Sequence, residues 1–254
     1  HPLRVAGTFD DCQRLVKELF ADAKFRAGHR VSSANSINLL RWIPQAFYYF
    51  YGYCLWRQQT GSGRPVVVVP SGNYGNLSAG MLARRMGLPL GGFVAASNRN
   101  DVVPEFLRSG EYRPRPSVRT LANAMDVGDP SNFVRVLDLY GQSIDAIRAD
   151  ISGARYSDDR IRSILADTLK RTGYLLDPHG ACGYQALKEG LQAGETGVFL
   201  ETAHPAKFKD TVEPIIGQPV AVPQRLAEFM KGQKLSVRLP SDFDTFKRFL
   251  SDRQ

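Results

Sequence analysis

An α/β fold built on a parallel sheet is the architecture this sequence predicts, and two observations carry that expectation. Val66-Val67-Val68-Val69 is an unbroken β-branched run, the composition of a strand buried on both faces. It leads through Ser71-Gly72-Asn73-Tyr74-Gly75-Asn76 into a helical pattern at Leu77, Met81, Leu82 and Met86, and Phe93-Val94-Ala95-Ala96 follows as a second strand. A β-loop-α-β unit of this kind is the repeating element of parallel sheets.

The loop inside that unit is the most informative stretch of the chain. A strand-to-helix loop can aim backbone N–H groups and the positive end of a helix dipole at an anion. Glycine permits close approach of the backbone, and Asn tolerates the dihedral angles that an anion nest needs. The run is therefore read as a phosphate cradle, although a Gly/Asn-rich turn also serves as a plain tight connection. It matches neither the Walker pattern, since no Gly-Lys-Ser/Thr follows, nor G-x-G-x-x-G. A nucleotide is not the expected ligand.

The remaining elements follow in chain order. Thr8-Phe9-Asp10-Asp11 is a capping box opening a helix whose apolar stripe runs through Cys12, Leu15, Val16, Leu19 and Phe20. A turn at Gly28 to Arg30 precedes Ser32 to Asn38, and a long helix is expected from about Ser36 to Gln59, kinked near Pro44. Between Asn98 and Asn132 the pattern dissolves into Pro, Gly, Arg and Asn, a length of loop that points to function. Helices are expected over Phe133 to Ala149 and Ser157 to Arg171, the second capped by Ser157 and stopped at Gly173. Val198-Phe199-Leu200 reads as a short buried strand leading into Glu201-Thr202-Ala203-His204-Pro205. The expected organisation is a part of one α/β domain over residues 1–132, a helical segment over 133–172, and a return to the same domain with a C-terminal tail over 173–254.

Composition narrows the classes. The 254 residues suffice for a substantial core, and no apolar stretch is long enough to span a bilayer. His1 to Asp11 lacks the apolar core of a secretory signal. Cys12, Cys54 and Cys182 are an odd number at unrelated spacings, which suggests neither a disulfide framework nor a zinc site. Cys12 and Cys54 are expected in the core, and the setting is expected to be cytoplasmic. The net charge of +8 is spread along the chain without basic runs or interleaved aromatics, so an anionic small molecule is expected as partner rather than nucleic acid or membrane.

Several motifs together resemble the threonine synthase family. They are the loop at residues 71–76, Asn35-Ser36-Ile37-Asn38 with Arg41, Asn123-Ala124-Met125-Asp126-Val127-Gly128, Asp177-Pro178-His179-Gly180-Ala181, and Thr202-Ala203-His204-Pro205-Ala206-Lys207-Phe208, in the family's order. The resemblance implies a pyridoxal 5′-phosphate enzyme of fold type II, the tryptophan-synthase-β-like fold. It implies a carbon–oxygen lyase acting on phosphates, which converts O-phospho-L-homoserine and water to L-threonine and phosphate, the last step of threonine biosynthesis. Gly72, Asn73, Tyr74, Gly75 and Asn76 then line the cofactor's phosphate, with Tyr74 standing where Phe is common in the family. Thr202 maps onto the partner of the pyridine nitrogen, where a neutral hydroxyl makes the cofactor a milder electron sink than a carboxylate would.

Asn35, Ser36, Asn38 and Arg41 are expected to hold the substrate's phosphate, although the same residues also suit the start of a helix. His179 and His204 have no carboxylate or Cys at metal-ligand spacing and are expected in supporting roles. The family's Schiff-base lysine lies in a Phe-Lys-Asp sequence upstream of every motif matched here. Phe208-Lys209-Asp210 is a look-alike in the wrong place. No catalytic residue is therefore assigned in this chain, which corresponds to the C-terminal half to three-fifths of a family member. Without the missing N-terminal portion the 254 residues are expected to be inactive and to expose apolar edges. Two rival readings remain: another fold-type-II lyase such as a threonine dehydratase, and a non-catalytic module that binds a phosphorylated ligand.

Overall fold

The computed structural model describes residues 2–34, 38–233 and 235–252. In chain order the first elements are β1 (Leu3–Ala6), α1 (Phe9–Ala21), α2 (Ala23–Gly28), α3 (Trp42–Thr60), β2 (Val66–Pro70), α4 (Gly75–Arg85), β3 (Gly92–Ser97) and α5 (Val102–Ser109). There follow α6 (Phe133–Leu139), α7 (Ile144–Asp150), β4 (Ile151–Arg155), α8 (Asp158–Thr172), α9 (Pro178–Gly190), β5 (Gly197–Phe199), α10 (Lys209–Ile216), α11 (Gln224–Met230), β6 (Val237–Pro240) and α12 (Phe243–Ser251). They divide into two compact units, His1–Ser33 with Val222–Gln254, and Ala34–Ala221. The segment 133–172 contains β4 as well as helices.

In the smaller unit β1 and β6 pair in parallel from Leu3↔Val237 to Ala6↔Pro240. The Thr8 capping box is present: the Thr8 hydroxyl accepts from the Asp11 N–H, and the Asp11 carboxylate accepts from the Thr8 N–H at 2.8 Å.

The larger unit is built on a four-stranded parallel sheet in the order β4-β3-β2-β5. All five residues of β2 are buried, as the β-branched run requires. Alternation along the strands sends Val67, Val69, Phe93 and Ala95 to one face, where they pack on Trp42, Ala46 and Tyr49 of α3, Leu77 and Met81 of α4, and Phe133 of α6. Val66, Val68, Val94 and Ala96 point the other way, onto Ile161, Ile164 and Leu165 of α8 and Ala181, Cys182 and Ala186 of α9. Helices on both faces of a parallel sheet make this an α/β layer structure, as expected from the sequence.

Some elements differ from the sequence reading. The long helix begins at Trp42 rather than Ser36, after a 3₁₀ turn at Leu39–Arg41. Pro44 lies in its first turn, where a missing N–H breaks no helical bond, so it starts the helix instead of kinking it. The helix expected over 133–149 is two helices, because Gly141 and Gln142 both adopt positive φ (56° and 63°) and Ser143 caps a new start. Cys12 is half-buried and Cys54 exposed, so neither is a core residue; only Cys182 is buried. α3 turns its larger apolar side chains both ways: Trp42, Tyr49 and Trp56 are buried, whereas Ile43, Phe47, Tyr51 and Leu55 are exposed.

Candidate functional site

In an open parallel sheet, ligands bind beyond the carboxyl ends of the strands where the winding reverses. Here β3 and β4 lie to one side of β2, and β5 lies to the other, which places the reversal between β2 and β5. A cleft of about 690 Å³ opens there. One wall is the loop after β2, a second is the segment Leu200-Glu201-Thr202 after β5, and a third is Ala124-Met125 with His179; Arg41, Gln45 and Tyr48 of the α3 region complete it.

The loop after β2 owes its shape to Tyr74, which adopts the left-handed conformation (φ 62°, ψ 11°) and is the N-cap of α4. The first N–H groups of any α-helix lack partners within it, so those of Gly75, Asn76 and Leu77 face outward at the dipole's positive end. Side chains brace the loop from behind. The Tyr74 hydroxyl meets Ser97 Oγ at 3.1 Å, the Ser71 hydroxyl donates to the Val69 carbonyl, and the Tyr49 hydroxyl donates to Asn76. Asn73 Oδ1 accepts from the Ser131 N–H at 2.7 Å. The loop therefore offers backbone donors, with its own side chains largely occupied in holding it.

The third wall comes from the Asn98–Asn132 segment, which lacks a repeating pattern yet is tightly tied down. Buried Asn98 donates to Thr120 Oγ1 at 2.7 Å, to the Ala122 carbonyl at 3.1 Å and to Asp126 Oδ1 at 2.8 Å. These bonds set a 3₁₀ turn, Asn123–Met125, against the loop after β2. A Cβ on Gly72 would stand 2.6 Å from Met125 Cα, so the two backbones touch.

Asp177 and Glu201 form an acid pair next to the cleft. Asp177 is buried and N-caps α9, accepting from the His179 N–H at 2.8 Å and from His179 Nδ1 at 2.5 Å. Its N–H donates to Glu201 Oε1 at 3.1 Å. Burial pushes the Asp177 carboxyl up, but the hydrogen bonds it accepts, first that from the His179 ring, outweigh this and hold it below the usual range. Glu201 is pushed up to about 8, first by desolvation and then by the Asp177 carboxylate beside it. Both carboxyls do not ionise together at neutral pH. Unfolded, Glu201 titrates near 4.5. Its contribution to stability is thus fully present below about pH 4.5 and is lost progressively as the pH rises towards and through about 8. Glu201→Gln can keep both contacts, its amide donating to Asp177. The stability gap between variant and native chain should widen from about pH 5 to about pH 8 and then level off. Calorimetric midpoints across that range check this; parallel profiles would show that the pair does not share a proton.

Of the residues expected from the sequence, Gly72, Asn73, Tyr74, Gly75, Asn76, Thr202 and Arg41 line this one cleft. Asn38 is not among its lining residues; its side chain accepts from the Leu40 N–H and caps the 3₁₀ turn, as a helix-start residue does. Asn35 and Ser36 lie outside the described residues. His204 caps the 3₁₀ turn Pro205–Phe208 through Nδ1, and Lys209 sits 3.4 Å from Glu213 on α10, away from the cleft lining. Among the described residues no lysine lines the cleft. Gln45, Tyr48 and Glu201 line it without having been expected there. The first two fall four and seven residues after Arg41, the helical spacing that places all three on one face, and that was their available signal.

A family model described as pyridoxal-phosphate dependent enzyme matches residues 1–202, and one described as threonine synthase, C-terminal, matches residues 180–250. A threonine synthase of Serratia marcescens is 42% identical over 250 residues, which are 98% of this chain and 58% of the relative. The crystal structure of threonine synthase from Escherichia coli superposes with a TM-score of 0.91 at 41% identity, covering 99% of this chain and 58% of that one. The pyridoxal-phosphate-bound threonine synthase from Brucella melitensis gives 0.84 at 32% identity, with 99% and 59% covered. The chain thus spans somewhat under three-fifths of the length of the relatives it matches.

Proposed function

The chain belongs to the family of pyridoxal-phosphate-dependent enzymes, with the fold-type-II architecture, and we propose that it supplies the phosphate-binding and ring-binding parts of a threonine synthase. The observation that carries this is the convergence of residues 72–76, Thr202 and Arg41 on a single cleft at the sheet's reversal point. The reaction is the conversion of O-phospho-L-homoserine and water to L-threonine and phosphate.

The residues present fit the cofactor. A loop of outward N–H groups at a helix start suits a phosphate monoester, and the close backbone contact at Gly72 leaves no room for a side chain that would crowd it. The buried Gln45 Oε1 has no hydrogen-bond partner in the protein and belongs to a residue lining the same cleft, which leaves its amide available to a ligand. Thr202, across the cleft, is a neutral hydroxyl for the ring nitrogen. When bound, the cofactor supplies an electron sink for negative charge at the substrate's Cα. The chain's own part is to orient that ring between loop and Thr202 and to place the substrate's phosphate near Arg41, whose charge the leaving phosphate needs. Asn35, Ser36 and Asn38 are the further proposed contributors to that second phosphate site.

The amine that moves the α-proton comes, in this reading, from the portion that the relatives possess and the matched region leaves out. Two features suit such a partner. β5 is an edge strand of the sheet, and the outer face of α3 presents Ile43, Phe47, Tyr51 and Leu55. The proposed setting is the cytoplasm; no helix among the described residues is long and apolar enough to cross a membrane.

The test is direct. The purified 254-residue chain should bind pyridoxal 5′-phosphate, seen by ³¹P NMR, and should form no threonine from O-phosphohomoserine. Threonine production by the chain alone would overturn the division of labour. Absence of any cofactor binding would remove the assignment of the loop.

A further inference from the structure

His179 is buried to 2% exposure at the wall of the cleft, and three contacts hold its imidazole. Nδ1 faces the Asp177 carboxylate at 2.5 Å, Nε2 accepts from the Ala124 N–H at 3.1 Å, and the Phe208 ring lies 4.7 Å away between centroids. An N–H donating to Nε2 requires that nitrogen to be unprotonated, so the proton sits on Nδ1 and points at Asp177. The first N–H groups of a 3₁₀ turn have no acceptor within it. Ala122, at the N-cap of Asn123–Met125, has no side chain to supply one. His179 supplies it from 55 residues away.

We propose that His179 is a positioning residue for the phosphate loop, holding the Ala124–Met125 turn against Gly72 through its Nε2 acceptor. The proposal rests on the cofactor-phosphate reading of that loop for its functional meaning. The path is short: Asp177 orients the ring, the ring holds Ala124, and the backbones of Ala124 and Met125 press on Gly72, where an added Cβ would come within 3.1 Å of the Ala124 carbonyl. It also connects the Asp177-Pro178-His179 and His204-to-Phe208 stretches to the site, since Phe208 packs on the imidazole without lining the cleft.

Two substitutions separate the two ends of the ring. His179→Asn keeps a donor near Asp177 but cannot reach Ala124. His179→Gln has the reach to present an acceptor to the Ala124 N–H while losing the Asp177 bond. In the full 254-residue chain, His179→Asn should speed amide hydrogen exchange at Ala124 and at Gly72 to Tyr74 about tenfold, and weaken binding of pyridoxal 5′-phosphate and of inorganic phosphate by a similar factor. His179→Gln should restore both to within about threefold, although both variants lower the thermal midpoint. Equal effects of the two variants, or effects that merely track the midpoint, would overturn the proposal, as would unchanged exchange at Gly72 to Tyr74. The exchange measurement needs no ligand. If exchange responds as stated but the native chain binds neither probe, the positioning role stands and the cofactor reading falls.

Discussion

Gly72→Ala should weaken binding of pyridoxal 5′-phosphate by about ten- to a hundredfold, the equivalent of one lost hydrogen bond to a charged group at about 1.5–3 kcal/mol. A Cβ at this position would lie 2.6 Å from Met125 Cα, 3.1 Å from the Ala124 carbonyl oxygen and 3.2 Å from the Met125 carbonyl carbon. All three obstacles are backbone, so no rotamer change relieves them. The opposing turn cannot yield cheaply either, because Asn98 and His179 pin it by hydrogen bonds. The loop after β2 must therefore move, and its N–H groups with it. Overpacking of this type costs about 1–3 kcal/mol of stability as well. Gly52→Ala is the matched control: nothing lies within 4 Å of its added Cβ, and it sits inside α3. There, Ala should stabilise the chain by about 0.5–1 kcal/mol and leave affinity unchanged. Titration calorimetry on both variants checks the pair. Native-like affinity in Gly72→Ala would show that the contact with Met125 does not set the loop.

How much of this was legible beforehand depends on whether the cause is local. Val66 to Val69 announces a doubly buried strand, because burial on both faces selects β-branched residues along the whole run. The turn chemistry of residues 71–76 announces a tight strand-to-helix loop, but not its detail, since the left-handed residue is Tyr74 rather than a glycine or asparagine. β4 leaves no such trace. It is an edge strand whose residues after Ile151 are largely exposed, so it carries no apolar run, and Gly153 has no side chain because Pro104 Cα of α5 lies 2.9 Å from where its Cβ would be. β1 and β6 pair across more than 230 positions, a relation no window of sequence contains. The site divides similarly. Thr202 and the loop are carried by motifs that resemble threonine synthases, whereas Glu201 gains its character only from Asp177, a neighbour 24 residues distant. Asn38 is ambiguous in the other direction, since a helix-capping residue and a phosphate ligand share one chemistry, and its side chain accepts from the Leu40 N–H.

That dependence on a neighbour makes Asp177 the position where stability should be most sensitive, and where the nature of the replacement decides the outcome. Asp177→Ala removes the N-cap of α9 and leaves His179 Nδ1–H without an acceptor in a buried site. A lost cap costs about 0.5–2 kcal/mol and a buried donor left unpaired about 1–3 kcal/mol, so a loss near 3 kcal/mol is expected. For a chain of this size that lowers the thermal midpoint by roughly 6–12 °C. Asp177→Asn should behave quite differently. Its amide oxygen can accept from both the His179 N–H and Nδ1–H, while its NH₂ group can donate to Glu201. Only the long 3.4 Å contact to the Gly180 N–H lacks a replacement. With a donor instead of a carboxylate beside it, Glu201 loses the repulsion that helps keep it protonated, and its carboxyl should fall back towards the ordinary range. The Asn variant should therefore be nearly as stable as the native chain near pH 6 and show a shallower decline between about pH 6 and pH 8. Circular-dichroism melting of the two variants at both pH values measures this. If Asn and Ala destabilise equally, the carboxylate's charge, rather than its hydrogen-bond geometry, holds the wall of the cleft together.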